Sequence, residues 1–284
     1  MRFPRNAASK RMSDKVDFVE GSHGPAIVEG PLTALSWLSI LPIRGATAFD
    51  RITGARVITS VPFVGMVYGV IAALVAGVGI ALEASPLLVG VLAVTAMELF
   101  GRFMHLDGLG DVADALGSYG SPAKAREVLA DPHIGLIGAA SGLLSLLAQT
   151  AAIGTLASTS WDIPLRLAAI AAGPAIGRLG VLFVCHKSCK PMKPTGFAAQ
   201  IIGTIPTSRL LLWIASYAVV CVAVLPFAPA FGLACLLALA VSCASAFVLS
   251  RHCHRRFEGL NGDCCGFVIH LCTTIALVVL ALSY

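Results

Sequence analysis

Three aspartates crowd the segment HLDGLGDVAD, at Asp107, Asp111 and Asp114. In a helix they stand at i, i+4 and i+7, one narrow stripe at about 3.6 residues per turn. Adjacent carboxylates repel one another, and beside apolar surface their charge is costly. A hard divalent cation relieves both problems. The donor set suits Mg²⁺ or Mn²⁺, held by one or two carboxylates with water and substrate phosphates. The bland alternative is a solvated acidic face favoured by the N-terminal helix dipole. Gly108 and Gly110 each cost about 1 kcal/mol relative to Ala inside a helix, and they leave space for a pyrophosphate.

Further candidates lie downstream. In KAREVLADPHIG, Glu127 and Asp131 are i, i+4, and Lys124 with Glu127 is i, i+3; an exposed, ion-paired helix explains this spacing nearly as well as a site. Asp131 precedes Pro132 and so ends a helix at the mouth of the next apolar run. In EGLNGDCCG the Asn261-Gly262-Asp263 turn presents Asp263 at the start of the last apolar run. Lys187, Lys190 and Lys193 supply point charges for phosphate. Glu98, Arg178 and His270 are ionisable residues deep inside apolar runs, where such groups line cavities or functional paths. The Cys and His residues at 185–189 and 252–254 lack a zinc-ligand spacing. Trp37, Trp161 and Trp213 read as interface anchors.

The elements that must position these groups are membrane helices. Of 284 residues, 57% are hydrophobic and 12% charged, and mean hydropathy is +0.86. A soluble domain carries roughly twice that charge. Seven apolar runs approach spanning length: Val57–Leu82, Pro86–Phe103, Ile134–Leu156, Leu165–Cys185, Leu210–Leu225, Ala228–Val248 and Cys264–Leu282. An eighth, Pro31–Ile43, is short enough to be interfacial or re-entrant. The expectation is an all-α polytopic helical bundle of about seven transmembrane helices plus that short helix. Residues 1–30 are expected to be a polar disordered tail without the apolar core of a secretory signal, and residues 31–284 the membrane catalytic domain. The nine cysteines read as reduced packing residues.

Lys and Arg alternate between loops, which orients the tail and every long polar loop towards the cytoplasm and Tyr284 outwards. The net charge of +5 suits an anionic bilayer surface or anionic substrates and is too dispersed for nucleic acid. A homo-oligomer is compatible with all of this.

In order along the chain from about Leu35, these motifs resemble the cobalamin synthase family, whose members are adenosylcobinamide-GDP ribazoletransferases. HLDGLGDVADAL is similar to that family's HLDGLADTADGL, KAREVLADPHIG to its R-x-x-L-E-I-M-K-D-S-R-I-G, and GLNGDCCG to its G-x-T-G-D-x-x-G. LSILPI followed by VPFVGMVYGV resembles its L-T-R-L-P-V and P-L-x-G-x-x-x-G segments. His133 stands where the family usually has Arg, Asn261 where it has Thr, and His270 and Thr273 where Glu is common. The resemblance implies joining of adenosylcobinamide-GDP to α-ribazole or its 5′-phosphate, release of GMP, and a Mg²⁺ requirement. It implies that Asp107 and Asp111 hold the cation and that Asp114 is a third ligand or the base. Substrate contacts then fall to His105, Gly108, Lys124, Glu127, Asp131, Arg178, Lys187, Lys193 and Asp263.

Two other classes fit less well. CDP-alcohol phosphotransferases also gather aspartates at a membrane face, but their D-G-x-x-A-R…G-x-x-x-D-x-x-x-D pattern is not matched here. A transporter needs charge near the bilayer midplane and inverted repeats, whereas these acids cluster at the ends of the apolar runs.

Overall fold

The computed structural model describes residue 19 and residues 21–283; most of the expected tail lies outside them. Among the described residues there is no β-strand, only isolated bridges. The helices follow in the order α1 (Ala26–Leu38), α2 (Arg51–Ala81), α3 (Pro86–Phe100), α4 (Met104–Gly117), α5 (Pro122–Leu129) and α6 (Leu136–Ala157). Then come α7 (Ile163–Gly177), α8 (Gly180–Val184), α9 (Phe197–Ile201), α10 (Thr207–Val224), α11 (Pro229–Phe257) and α12 (Gly262–Leu282). The short helix expected from Pro31 is α1, which already begins at Ala26 and ends at Leu38.

Six spans are long and apolar enough to cross a membrane: α2, α6, the α7–α8 pair, α10, α11 and α12. The α3–α4 pair supplies a seventh candidate, bent by 91°. Each of the seven expected runs therefore corresponds to one helix, except Leu165–Cys185, which is the α7–α8 pair. The clearest difference is α11, which continues past Val248 to Phe257 and carries the basic RHCHRRF segment as helix.

Helix starts follow local chemistry. Asp50 caps α2 by accepting from Thr53 N at 2.8 Å, and Asn261 caps α12 by accepting from Cys264 N at 3.1 Å. Ser85-Pro86 and Ser121-Pro122 open α3 and α5 with a capping hydroxyl and a proline in the first turn, the position where its missing N–H costs nothing.

α12 is the axis of the bundle, packed against α4, α6, α7, α8 and α11. α2 forms a second axis, against α1, α3, α7 and α9. With no hydrophobic drive between helices inside lipid, small residues set how closely they approach. A Cβ on Gly154 would sit 2.6 Å from the Pro86 carbonyl oxygen, and one on Gly90 would fall onto the Thr150 carbonyl, so α3 and α6 meet backbone to backbone. Gly90→Ala is expected to cost about 1–3 kcal/mol by overpacking. Its apparent melting temperature in detergent should drop by several degrees. Gly77→Ala, whose Cβ would meet Leu167 at an ordinary 3.5 Å, should melt with the parent.

Candidate active site

The aspartate segment forms α4, turned sharply away from α3. The turn is made by two consecutive left-handed residues, Arg102 and Phe103, each at φ 55°. Neither is glycine, and each such residue costs roughly 1–2 kcal/mol. The end of α1 holds the turn in place. Arg102 Nη2 donates to the Trp37 carbonyl at 2.6 Å, Ile40 N to the Phe100 carbonyl at 2.9 Å, and Tyr68 Oη to the Leu38 carbonyl at 2.7 Å.

α4 lies against the start of α12 through glycine on both sides. A Cβ on Gly108 would come within 2.8 Å of the Asp263 carbonyl oxygen, and one on Gly266 within 3.3 Å of His105 Cα. This contact brings Asp263 beside Asp107 and Asp111. Asp107 is exposed; Asp111, Asp114 and Asp263 are half-buried. Burial, reinforced by the charges of Asp107, Asp263 and Asp114, raises the Asp111 carboxyl from its ordinary value to about 6. Among the described residues none of these aspartates forms an ion pair. Asp263 takes one hydrogen bond, from Asn261 Nδ2 at 2.6 Å, so the cap residue of α12 also fixes its carboxylate.

Asp114 is occupied differently. Its Oδ2 accepts from Gly135 N at 2.7 Å and its Oδ1 from Gly138 N at 2.9 Å. Gly135 is the N-cap position of α6, so α4 caps α6 through this side chain. A Cβ on Gly138 would strike both the Asp114 carboxylate and the Gly110 carbonyl.

The remaining candidates disperse. Lys124 Nζ pairs with Glu127 Oε2 at 3.1 Å, both side chains well exposed. Asp131 Oδ1 accepts from His133 N at 3.0 Å and pairs with its Nδ1 at 2.8 Å, which holds its carboxyl below the ordinary value. Lys187 N donates to the Ile205 carbonyl at 2.8 Å, leaving its side chain exposed. Lys193 is exposed and follows a strap in which Met192 N donates to the Leu260 carbonyl and Leu260 N to the Lys190 carbonyl, both at 2.9 Å. That strap ends beside Asn261 and Asp263.

His105 and Arg178 turn into the bundle, away from the aspartates. Arg178 is 3% exposed, with Cζ 3.3 Å from the Tyr68 ring centroid. With Glu98, Gln149, His270 and Thr273 they line one small internal cavity of ≈10 Å³, space for about one water. Glu98 pairs with His270 Nδ1 at 3.6 Å rather than with Arg178. Gln149 Nε2 lies 3.1 Å from His270 Nε2 and donates to Thr274 Oγ1 at 2.9 Å. His105 Nε2 and Arg178 Nε have no partner. Gln149 and Thr274 are functional-looking positions that the sequence motifs do not single out; the one signal available for them is a lone Gln within an apolar run.

The fit of the aspartates to a divalent cation is one of donor chemistry. They offer hard oxygens without a basic partner, although among the described residues no group of three His, Cys, Asp or Glu side chains is assembled as a ready cage. Mg²⁺ asks for only one or two carboxylates.

Because the Asp111 proton is held up to about pH 6 when folded but released near 3.8 when unfolded, the fold loses stability as pH rises through that window. In EDTA at pH 7.5, Asp111→Asn should therefore melt slightly above the parent, by about 0.2–0.5 kcal/mol per like-charged pair relieved. The gain should vanish near pH 4. Asp114→Ala should melt lower at both pH values, losing the α6 cap at about 1–2 kcal/mol. Thermal denaturation in detergent at the two pH values separates these roles.

Comparison with known proteins bears on the whole chain. An adenosylcobinamide-GDP ribazoletransferase of Corynebacterium diphtheriae is 46% identical over 277 residues, covering 96% of this chain and 98% of the relative. The Corynebacterium efficiens protein of the same name is 45% identical, with the same coverage. That of Frankia casuarinae is 31% identical over 88% of this chain and 94% of its own. No solved structure matches. The cobalamin-5-phosphate synthase family model matches residues 30–281, and on this span and these identities the chain belongs to that family.

Proposed function

We propose that this chain transfers the cobinamide-phosphate moiety of adenosylcobinamide-GDP to α-ribazole or its 5′-phosphate, with release of GMP. The relatives' names support the reaction. The observation that carries the site is the meeting of Asp107 and Asp111 on α4 with Asp263 on α12, without a basic neighbour, at a polar end of the bundle.

In this reading Asp107 and Asp111, with Asp263 beside them, would supply the one or two carboxylates that Mg²⁺ needs, and the ion when bound would neutralise charge on the pyrophosphate. The ribazole hydroxyl oxygen forms the new bond to the cobinamide-bearing phosphorus, the bond from that phosphorus to GMP breaks, and the hydroxyl proton passes to a carboxylate of the same group. Such a transfer asks mainly for positioning and charge neutralisation. Asp114 keeps α6 in register with the site. Lys193, beside the strap that ends at Leu260, meets phosphate as a point charge. Phe197, 49% exposed, is stacked on Phe49 with ring planes 9° apart. It also has Trp37 against it, with ring centroids 5.6 Å apart, and lies 3.8 Å from where a Gly262 Cβ would be, so the exposed part of this aromatic cluster suits a flat base next to Asp263. The reading places these loops in the cytoplasm, where the substrates are.

Purified protein in detergent, given adenosylcobinamide-GDP, α-ribazole and Mg²⁺, should release GMP and form a cobalamin. EDTA should stop the reaction. Asp107→Asn, Asp111→Asn and Asp263→Asn should each lower the rate by about a hundredfold or more, the scale of losing one charge-stabilising group, while Asp114→Asn keeps more of it. Folded protein that forms no cobalamin with either acceptor would sink the reading.

A further inference from the structure

A second pocket opens on the other side of α11, lined by the start of α10, residues 183–189 and the last turns of α11, and shares no residue with the aspartate site. It encloses ≈500 Å³. Phe183 and Leu210 give it an apolar floor, the exposed Phe247 stands at its edge, and its rim carries His186, Arg251, His254 and Arg255. Arg251 and Arg255 are exposed. Among the described residues neither makes a hydrogen bond or ion pair, and the Arg251 Cζ stands 5.3 Å from the Phe247 ring centroid. Ser250, which lines the same pocket, is 3% exposed, and its Oγ is buried without a hydrogen-bond partner.

These features ask for one kind of occupant. A buried hydroxyl without a partner costs free energy that an acceptor in the pocket would recover. Two unpaired guanidiniums offer forked donors matched to phosphate oxygens. Arg126 and Arg256 on the opposite side of α11 show the contrast: they are spent on the Phe257 carbonyl with Glu258, and on the Ser118 carbonyl. The apolar floor below the basic rim adds that the phosphate is attached to something greasy.

We propose that this pocket is a binding site for a phosphate ester of net negative charge bearing an apolar group. The phosphate sits between Arg251, Arg255 and the Ser250 hydroxyl, and the apolar part lies over Phe183, Leu210 and Phe247. Both a phospholipid headgroup of the surrounding leaflet and a soluble phosphate ester carry this chemistry. The site is independent of the proposed reaction.

The test is a titration of purified protein in a maltoside detergent, followed by the shift in apparent melting temperature. The arms are phosphatidylglycerol, phosphatidylcholine, inorganic phosphate, and chloride at matched ionic strength. Saturable stabilisation by phosphatidylglycerol but not by phosphatidylcholine or chloride is expected. Phosphate acting as well as the lipid assigns a soluble ester, and phosphatidylglycerol acting alone assigns the headgroup. Arg251→Gln combined with Arg255→Gln should weaken binding by at least about tenfold, the factor one charge-assisted hydrogen bond supplies. Ser250→Ala should weaken it severalfold without lowering the melting temperature of the unliganded protein. Asp111→Asn should bind as the parent does, which keeps this outcome separate from the fate of the aspartate site. Absence of saturable stabilisation by both phosphate and phosphatidylglycerol, equal response to phosphatidylcholine, or unchanged affinity in the double variant would overturn the proposal.

Discussion

The glycine contact between α4 and α12 is the constraint on which the site depends. Gly108 and Gly266 face each other across the crossing, with no room for a Cβ on Gly108. Inside lipid, approach at this range is rewarded by dispersion and backbone contact rather than by burial from water. Because the crossing lies beside Asp263 and between Asp107 and Asp111, close packing and convergence of carboxylates are one geometric event. The charge repulsion so created is a cost borne by the rest of the fold, and it lowers stability where chemistry is wanted.

The other costly assembly lies within the bundle. Arg178 on Tyr68, Glu98 against His270, and the Gln149–Thr274–Ser145 chain join α2, α3, α6, α7 and α12 by polar contacts with few geometric solutions. Apolar helix faces alone slide past one another at little cost. A buried polar network that must be satisfied fixes their rotation and depth. His105 lines the same cavity from one side of α4, while Asp107 and Asp111 stand on the other, so the helix packs inward through its histidine and presents these two acids outwards.

The spans were legible because lipid requires long apolar runs, and the carboxylate stripe because three acids stand out in such a chain. Asp263 was legible through its Asn-Gly turn. The destinations of side chains were not. Nothing in HLDGLGDVAD says that Asp114 ends on the amides of Gly135 and Gly138, since that depends on how α6 enters against α4. The sharp turn at Arg102 and Phe103 was hidden because neither residue favours a left-handed backbone; tertiary contacts from α1 impose it. Glu98 and Arg178 invite pairing by charge alone, yet His270 has the position and Arg178 stacks on a ring. Spacing along one helix can be read locally. Contacts between helices require the whole arrangement.

That turn also bears on the bilayer. α3 has 15 residues before it ends, about 22 Å at 1.5 Å per residue, against a hydrocarbon thickness of roughly 30 Å. The membrane beside α3 must therefore dimple, or polar neighbours must reach down to meet it. Where the bilayer answers by thinning, the aspartates would stand over a local depression of the hydrophobic slab. A depression of that kind would bring water and charge to a depth that a flat bilayer denies them, and the deformation energy of lipid would then enter the architecture of the protein.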